Sequence, residues 1–241
     1  MSDRSRMKAV FVAVGAVAFV VSPLASGSFG GYDPSQFPVP QERPPAQPAG
    51  WAFSIWSLIY AWLVAHAVFG LLRRADDPGW DRTRWPMIFS LVVGAAWIPV
   101  AQISPLWATL LIWVMLVAAL FALFAAPEED AWWAKFPIAF YAGWLTAASW
   151  VSVALIGAGW GIGPGALIWA WIALGGLMIF AALVQVALGR VMAYAVPIAW
   201  ALFGIAAANN TDRIAITAAA IVAAAGLISL SAQRRWDSPN G

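Results

Sequence analysis

Long apolar runs almost free of charge are the feature that most constrains this chain. A helix needs about 20 predominantly apolar residues to cross a bilayer, because lipid offers no water to pair with backbone groups. Eight stretches meet this requirement, with no Asp, Glu, Lys or Arg well inside any of them. The sequence therefore predicts an all-α, multi-pass transmembrane helix bundle. The predicted spans are residues 7–24, 51–72, 87–104, 106–126, 136–156, 166–188, 191–208 and 214–230.

The composition excludes several classes of protein. Apolar residues make up 63% of the chain and charged residues 10%, against about 25% charged in a soluble domain, so neither a soluble enzyme nor a disordered chain is expected. The chain has no cysteine, which excludes disulfides and thiolate sites, and its single histidine excludes multi-histidine metal sites. A net charge of +2 is too small to indicate nucleic-acid binding.

The breaks between spans have physical causes. Pro105 separates the third and fourth spans, since proline disfavours a helical residue before it. Five glycines and a proline within 157–165 interrupt the chain after the fifth span. Gly189 divides a run that would otherwise be far too long for one span. The loop at 25–50 contains six prolines, and we expect it to form an ordered or semi-rigid external cap.

Basic residues are distributed unevenly over the connecting segments. With the N-terminus inside, only Arg43 and Arg213 of the 13 Lys and Arg residues fall on outer segments. The other 11 fall on inner segments. An excess of Lys and Arg is typical of cytoplasmic loops, so we expect both termini in the cytoplasm and the chain in the plasma (inner) membrane. The inner residues are Arg4, Arg6, Lys8, Arg73, Arg74, Arg82, Arg84, Lys135, Arg190, Arg234 and Arg235.

The N-terminus also resembles a signal peptide, because basic residues precede an apolar run that ends in LASGS at 24–28. The run is long enough to remain as a span, and we interpret it as the first helix. Either interpretation leaves the loop at 25–50 outside, and cleavage stays open.

His66 admits two interpretations. It could be an axial ligand to haem or a metal, or it could form a hydrogen bond to a neighbouring helix. No second ligand is evident in the sequence, which favours the hydrogen bond. The lack of charge inside the spans disfavours a proton-coupled pump.

The 17 tryptophans fall into two groups. Some lie at predicted interfaces, where indole rings are common; these are Trp80, Trp85, Trp107, Trp132, Trp133, Trp160 and Trp236. Others lie deeper, where an indole donor needs a partner; these are Trp56, Trp62, Trp97, Trp113, Trp144, Trp150 and Trp200. Helical spacing places Phe53, Trp56 and Tyr60 on one face, and Tyr141, Trp144, Ala148 and Ser152 on another. These faces could enclose a flat hydrophobic ligand or pack against each other.

The start of the second span carries a recognisable pattern. Residues 48–60 are PAGWAFSIWSLIY. This stretch resembles the signature of the tryptophan-rich sensory protein family (TspO/MBR, translocator protein or peripheral-type benzodiazepine receptor), Pro-Pro-x-Trp-Val-Phe followed by Trp-x-x-Leu-Tyr. GAAW at 94–97, and YAGW at 141–144 followed by Ala148 and Ser152, are similar to its third-helix and fifth-helix patterns.

The chain departs from the family pattern at several positions. Gly94 and Ser152 stand where the family has asparagines, and the interval between Trp51 and Trp56 is one residue shorter. The resemblance implies a five-helix core at 1–157, whereas the chain continues with three further predicted spans in 158–230 and a tail at 231–241. We therefore expect an extended, divergent member.

The resemblance implies a ligand pocket covered by the first long loop. Family members bind porphyrins, haem-type tetrapyrroles and sterol-like lipids, and dimers are common among them. It implies a porphyrin or other tetrapyrrole as ligand rather than as a required cofactor, and a homodimer in the lipid bilayer. No catalytic or metal-binding residue is expected. The implied pocket residues are Trp51, Phe53, Trp56, Trp97, Tyr141, Trp144 and Ala148, to which the shared helix faces add Tyr60 and Ser152.

Three functions remain open at this point. The first is a membrane receptor or sensor that binds a planar hydrophobic ligand and has a regulatory role. The second is a facilitative transporter of a hydrophobic solute, which would suit eight spans. The third is an enzyme that degrades porphyrin by photo-oxidation. The sequence contains no conventional acid–base or nucleophile constellation, so we rank the enzyme last of the three and leave the question open.

Overall fold

The computed structural model describes residues 2–27 and 29–233. Within these residues the chain forms eight α-helices and two short 3-10 helices, with no strand. Ser28 and the positions of Arg234, Arg235 and Trp236 lie outside the described residues, as does most of the predicted tail. The α-helices are α1 Ser2–Ser26, α2 Ile55–Arg73, α3 Pro78–Ile103, α4 Pro105–Ala125, α5 Lys135–Gly159, α6 Ala166–Leu188, α7 Met192–Asn209 and α8 Ile214–Ala232.

Each of the eight predicted spans is confirmed as a helix long and apolar enough to cross a membrane. The largest difference in boundary concerns α3, which begins at Pro78 rather than at residue 87. Asp77 caps this helix, accepting hydrogen bonds from the backbone nitrogens of Gly79 at 2.7 Å and Trp80 at 3.0 Å. Such a cap satisfies amides that have no partner inside the helix, so the helix extends through a charged first turn.

Two of the predicted breaks have clear local causes. Gly189 follows α6 with a φ of +70°, a conformation that favours glycine. Ser104 ends α3, and its hydroxyl accepts a hydrogen bond from the Trp107 amide at 3.4 Å at the start of α4. The chain therefore reverses direction at these points.

Helix α5 lies at the centre of the bundle, where it contacts α2, α4, α6 and α7. Twenty of its 25 residues are buried. Glycines let the C-terminal helices approach it closely: a Cβ at Gly143 would lie 2.2 Å from the backbone oxygen of Tyr194 on α7. A Cβ at Gly157 would likewise meet the ring of Trp169 on α6 at 2.1 Å. Helices α6 and α7 thus pack directly against the core formed with α1 to α4.

Arg84 forms hydrogen bonds that join α1, α3 and the connection between α2 and α3, at the end of the bundle where α1 begins. This side chain is buried and donates to the backbone oxygens of Ser5 at 2.7 Å, Arg74 at 2.7 Å and Ala75 at 2.8 Å. Asp81, one turn earlier, lies 3.2 Å from the Arg84 guanidinium. The start of α1 and the connection between α2 and α3 are therefore tied together.

Candidate functional site

A small cavity with about 30 Å³ of free space lies inside the bundle. Helices α2 to α5 and α7, the 3-10 turn Gly50–Ser54 and the loop before it surround it. Its walls are almost entirely apolar. The lining residues are Phe29, Gly31, Tyr32, Gln47, Pro48, Phe53, Trp56, Trp97, Ile112, Trp144, Ala147, Ala148, Val151, Ser152, Leu155 and Ala201.

The structure brings six of the nine sequence-predicted site residues to this cavity. They are Phe53, Trp56, Trp97, Trp144, Ala148 and Ser152. The rings of Trp56 and Trp144 lie 6.0 Å apart in an edge-to-face arrangement, and the ring of Phe53 lies 5.9 Å from that of Trp144. Edge-to-face pairs of this kind hold aromatic walls in fixed orientations.

The other three predicted site residues lie elsewhere. Trp51 is 44% exposed and packs its ring 5.1 Å from that of Trp200 on the outer surface. Tyr141 is buried behind the cavity, and its hydroxyl lies 3.0 Å from that of Ser90. Tyr60 lines a neighbouring groove instead.

Phe19 of α1 packs against Tyr141 and two aromatic side chains of α2. This α1 ring is fully buried and lies 5.7 Å from Trp56, 5.0 Å from Tyr60 and 5.9 Å from Tyr141. A Cβ at Gly94 would meet the Phe19 ring at 2.9 Å. The glycine at the position where the family pattern has asparagine therefore provides the space that Phe19 occupies.

The loop between α1 and the turn Gly50–Ser54 covers the cavity, and residues 29–49 are termed the lid. Phe37 anchors it on α5, where a Cβ at Gly159 would lie 2.2 Å from the Phe37 ring. The Val39 amide donates to the Gly159 oxygen at 2.8 Å. On another side, the Gln36 side chain donates to the backbone oxygens of Ala101 at 3.0 Å and Gln102 at 2.9 Å. The lid thus bridges the ends of α3 and α5.

Helix α7 holds the second half of the lid. The Ala49 amide donates to the oxygen of Gly204 at 3.0 Å, and the Asn209 amide group donates to the oxygen of Pro45 at 2.9 Å. Arg43 pairs with Asp212 at 2.7 Å at the exposed edge. Each neutral hydrogen bond contributes about 1 kcal/mol net to stability, so opening the lid requires several such contacts to break together.

Two polar atoms at the cavity have no hydrogen-bond partner within residues 2–27 and 29–233: the Tyr32 hydroxyl and the Trp144 indole nitrogen. These two groups are termed the polar pair. Both side chains are buried, and a buried polar group without a partner is costly. Burial raises the pKa of Tyr32 to about 12, with the nearby hydroxyls of Ser152 and Thr109 opposing the shift, so this group stays a neutral donor at physiological pH.

Trp97 lines the same cavity, but its indole nitrogen, unlike that of Trp144, has a hydrogen-bond partner among the described residues. Its indole nitrogen donates to the Ala108 oxygen at 2.9 Å and so ties α3 to α4. The aromatic walls therefore include one indole used for packing and one, at Trp144, whose nitrogen is free for a ligand within the described part of the chain.

The sequence predicted that the first long loop covers the pocket, but it did not predict which residues of this loop and of α7 line the cavity. Phe29 and Tyr32 supply aromatic walls from a loop, where helical spacing gives no information. Ala201 joins the cavity because α7 crosses α5 at Gly143, a long-range contact. The available signal was the presence of three aromatic residues, Phe29, Tyr32 and Phe37, within a proline-rich loop.

His66 lies away from this cavity, in a smaller space near Arg84. Its Nδ1 atom lies 2.8 Å from the backbone oxygen of Trp133, and its ring stacks on Trp80 at 5.1 Å. These contacts give the side chain a structural role in joining α2 to the segment before α5.

The fold and the cavity define a multi-pass helical membrane protein with an aromatic pocket under a lid. The family model described as TSPO-like protein matches residues 10–232, and the chain belongs to this family. The match extends beyond residue 157 and includes α6 to α8. No curated protein and no solved structure matches the chain. Family membership and the membrane-spanning helices indicate a protein of the membrane sensor or receptor type.

Proposed function

We propose that the chain is a receptor or sensor in the plasma (inner) membrane whose cavity binds a planar hydrophobic ligand, a porphyrin or other tetrapyrrole. The polar pair carries this proposal. Tyr32 and Trp144 place two unpaired hydrogen-bonding groups, within the described chain, in an otherwise apolar aromatic cavity. A ligand with acceptor groups would satisfy them, while Phe53, Trp56 and Trp97 would contact its flat faces. Because the cavity has only about 30 Å³ of free space, these side chains would have to move apart to admit such a ligand.

The tetrapyrrole is a ligand in this proposal, not a resident cofactor. Recognition would combine stacking, which is tolerant of substituents, with the polar pair, which would orient an acceptor such as a carboxylate. Ser152 lies at the same wall as Tyr32 and would extend this polar contact. The protein would act as a homodimer with both termini in the cytoplasm.

A titration with protoporphyrin IX tests this function. Purified protein in detergent is titrated while tryptophan fluorescence and the porphyrin Soret band are followed. We expect saturable binding, weakened roughly tenfold in Trp144→Phe and in Tyr32→Phe, since each loses one hydrogen bond to the ligand.

Trp150→Phe is the matched control. The Trp150 indole nitrogen is also buried and without a partner among the described residues, but Trp150 does not line the cavity. Its substitution should leave the affinity unchanged. Equal affinities in all three variants and the unaltered protein would contradict the assignment of the polar pair, and the lack of saturable binding would contradict the tetrapyrrole ligand.

The same probe separates a receptor from the alternative of facilitative transport. The buried Arg84 cluster closes the bundle at the face opposite the lid, which does not favour a path through the protein. We expect protoporphyrin IX to bind in proteoliposomes without flux above that of empty vesicles.

A further inference from the structure

A groove of about 430 Å³ lies between α1 and α2, next to the cavity. Val20, Pro23 and Leu24 of α1 form one wall, and Leu24 is 82% exposed. Since both helices are membrane-spanning, this groove opens sideways to the bilayer, at the end of the bundle where the lid lies.

The other wall of the groove carries a row of hydroxyls. Ser54, Ser57 and Tyr60 follow each other at intervals of three residues, which places them on one face of α2 and the turn before it. Within residues 2–27 and 29–233 none of these hydroxyls forms a hydrogen bond. Polar side chains that face lipid without partners are costly, so the row has the character of a binding surface for a molecule with polar groups.

The groove and the cavity share three aromatic residues, Phe29, Phe53 and Trp56. The rings of Phe29 and Phe53 lie 5.6 Å apart, edge to face, and border both spaces. The side chains of these two residues therefore lie where the groove and the cavity meet.

Entry of a ligand into the cavity through the lid would require many contacts to break. Gly159 on α5 and Gly204 on α7 accept hydrogen bonds from the lid amides of Val39 and Ala49, and Asn209 donates to the oxygen of Pro45. Buried Phe37 adds an apolar anchor. Opening the lid would break all these contacts, whereas passage between the two phenylalanine rings would break none of them.

We propose that the ligand enters from the bilayer through the groove between α1 and α2, binding the hydroxyl row first and then passing between Phe29 and Phe53, while α7 keeps the lid closed. The ligand class is a planar amphiphile dissolved in the membrane, with polar groups at its edge that pair with hydroxyls. This inference rests on the proposed function, because it assigns an entrance to the same cavity.

Association kinetics in liposomes test the route. Protoporphyrin IX is loaded into vesicles that contain the full protein, and binding is followed by stopped-flow fluorescence. Ser57→Trp would fill the groove while leaving the cavity lining intact. A blocked entrance slows binding and release alike, so both rate constants should fall by the same factor, roughly tenfold.

Val68→Trp is the matched control, because Val68 is an exposed α2 residue outside the groove. Its rate constants should equal those of the unaltered protein. Unchanged rate constants in Ser57→Trp would overturn the proposed route, provided circular dichroism shows both variants folded. A second groove-filling variant, Ser54→Trp, should give the same slowing and guards against a local folding defect.

A cross-linked lid provides the complementary test. The chain has no cysteine, so Arg43→Cys combined with Asp212→Cys creates one pair that a short bis-maleimide can join. We expect unchanged association after cross-linking. Arrested binding would overturn the route through the bilayer and assign the entrance to the lid, whereas the lack of saturable binding by the unaltered protein would overturn the proposed function itself.

Discussion

The indole nitrogen of Trp200 lies 2.8 Å from the backbone oxygen of Ala52, although 148 positions separate the two residues. This bond joins α7 to the turn Gly50–Ser54, directly between the lid and α2. The ring of Trp200 also packs against that of Trp51 at 5.1 Å. A C-terminal helix therefore fixes the segment that carries the most recognisable sequence pattern of the chain.

Replacing Trp200 by phenylalanine should loosen the lid. The variant removes the donor to Ala52 and should lower the free energy of unfolding by about 1 kcal/mol. Hydrogen exchange is the direct measurement, and the Ala49 amide, which bonds to Gly204, should exchange faster. Trp171→Phe, on an exposed face of α6, is the control; equal exchange in the two variants would contradict this role of Trp200.

Replacing Gly143 by alanine should disrupt the contact between α5 and α7. The new methyl group would lie 2.2 Å from the Tyr194 backbone oxygen, which cannot move away as a side chain could. Overpacking of this kind costs about 1–3 kcal/mol, and thermal unfolding in detergent would measure it. Gly175→Ala has open space on α6 and should be neutral or slightly stabilising, so equal losses in both variants would refute the close approach.

We expect His66 to stabilise the fold rather than to bind haem or a metal. His66→Leu removes the hydrogen bond to the Trp133 oxygen and should destabilise the protein by about 1–3 kcal/mol. His66→Asn can keep a donor near the same position and should lose less. Haem titration should give the same Soret band for His66→Asn as for the unaltered protein; loss of that band would restore the axial-ligand hypothesis.

Tyr32 should make stability depend on pH only in alkaline solution. Its pKa is raised by burial from 10.0 to about 12, so the folded chain keeps this proton where the unfolded chain loses it. The free energy of unfolding should therefore fall between about pH 10 and pH 12, by up to about 1.4 kcal/mol per pH unit, and show no effect of Tyr32 below pH 10.

Comparison with Tyr32→Phe isolates this effect from other titrating groups. Denaturant unfolding is measured for both proteins from pH 8 to pH 12. The difference in stability should be constant up to about pH 10 and should change above it in favour of the variant. Parallel curves over the whole range would show that Tyr32 is not buried as described.

The sequence was sufficient to predict the helices because lipid imposes a simple rule on length and polarity. The eight helices of the described chain, and the break at Gly189, follow from that rule. The start of α3 could not be predicted from that rule. It depends on hydrogen bonds from backbone amides to the Asp77 side chain, which a hydropathy pattern does not detect.

The candidate site was predictable only where one helix face carries it. Trp56, Trp97 and Trp144 reach the cavity as expected. Phe19 and Tyr32 could not be anticipated, because their positions depend on Gly94 in another helix and on the path of a loop. Tyr141 shares a helix face with Trp144, yet it packs against Phe19 and does not line the cavity.

The close crossing of α5 and α7 has a consequence for how the protein is made. During membrane insertion α5 leaves the ribosome before α7, so the face around Gly143 first meets lipid and later exchanges it for the Tyr194 backbone. The Gly204, Asn209 and Trp200 contacts of the lid form only after that exchange. The aromatic walls that α2, α3 and α5 contribute are therefore synthesised first, and the candidate site is complete only when synthesis has passed the seventh helix.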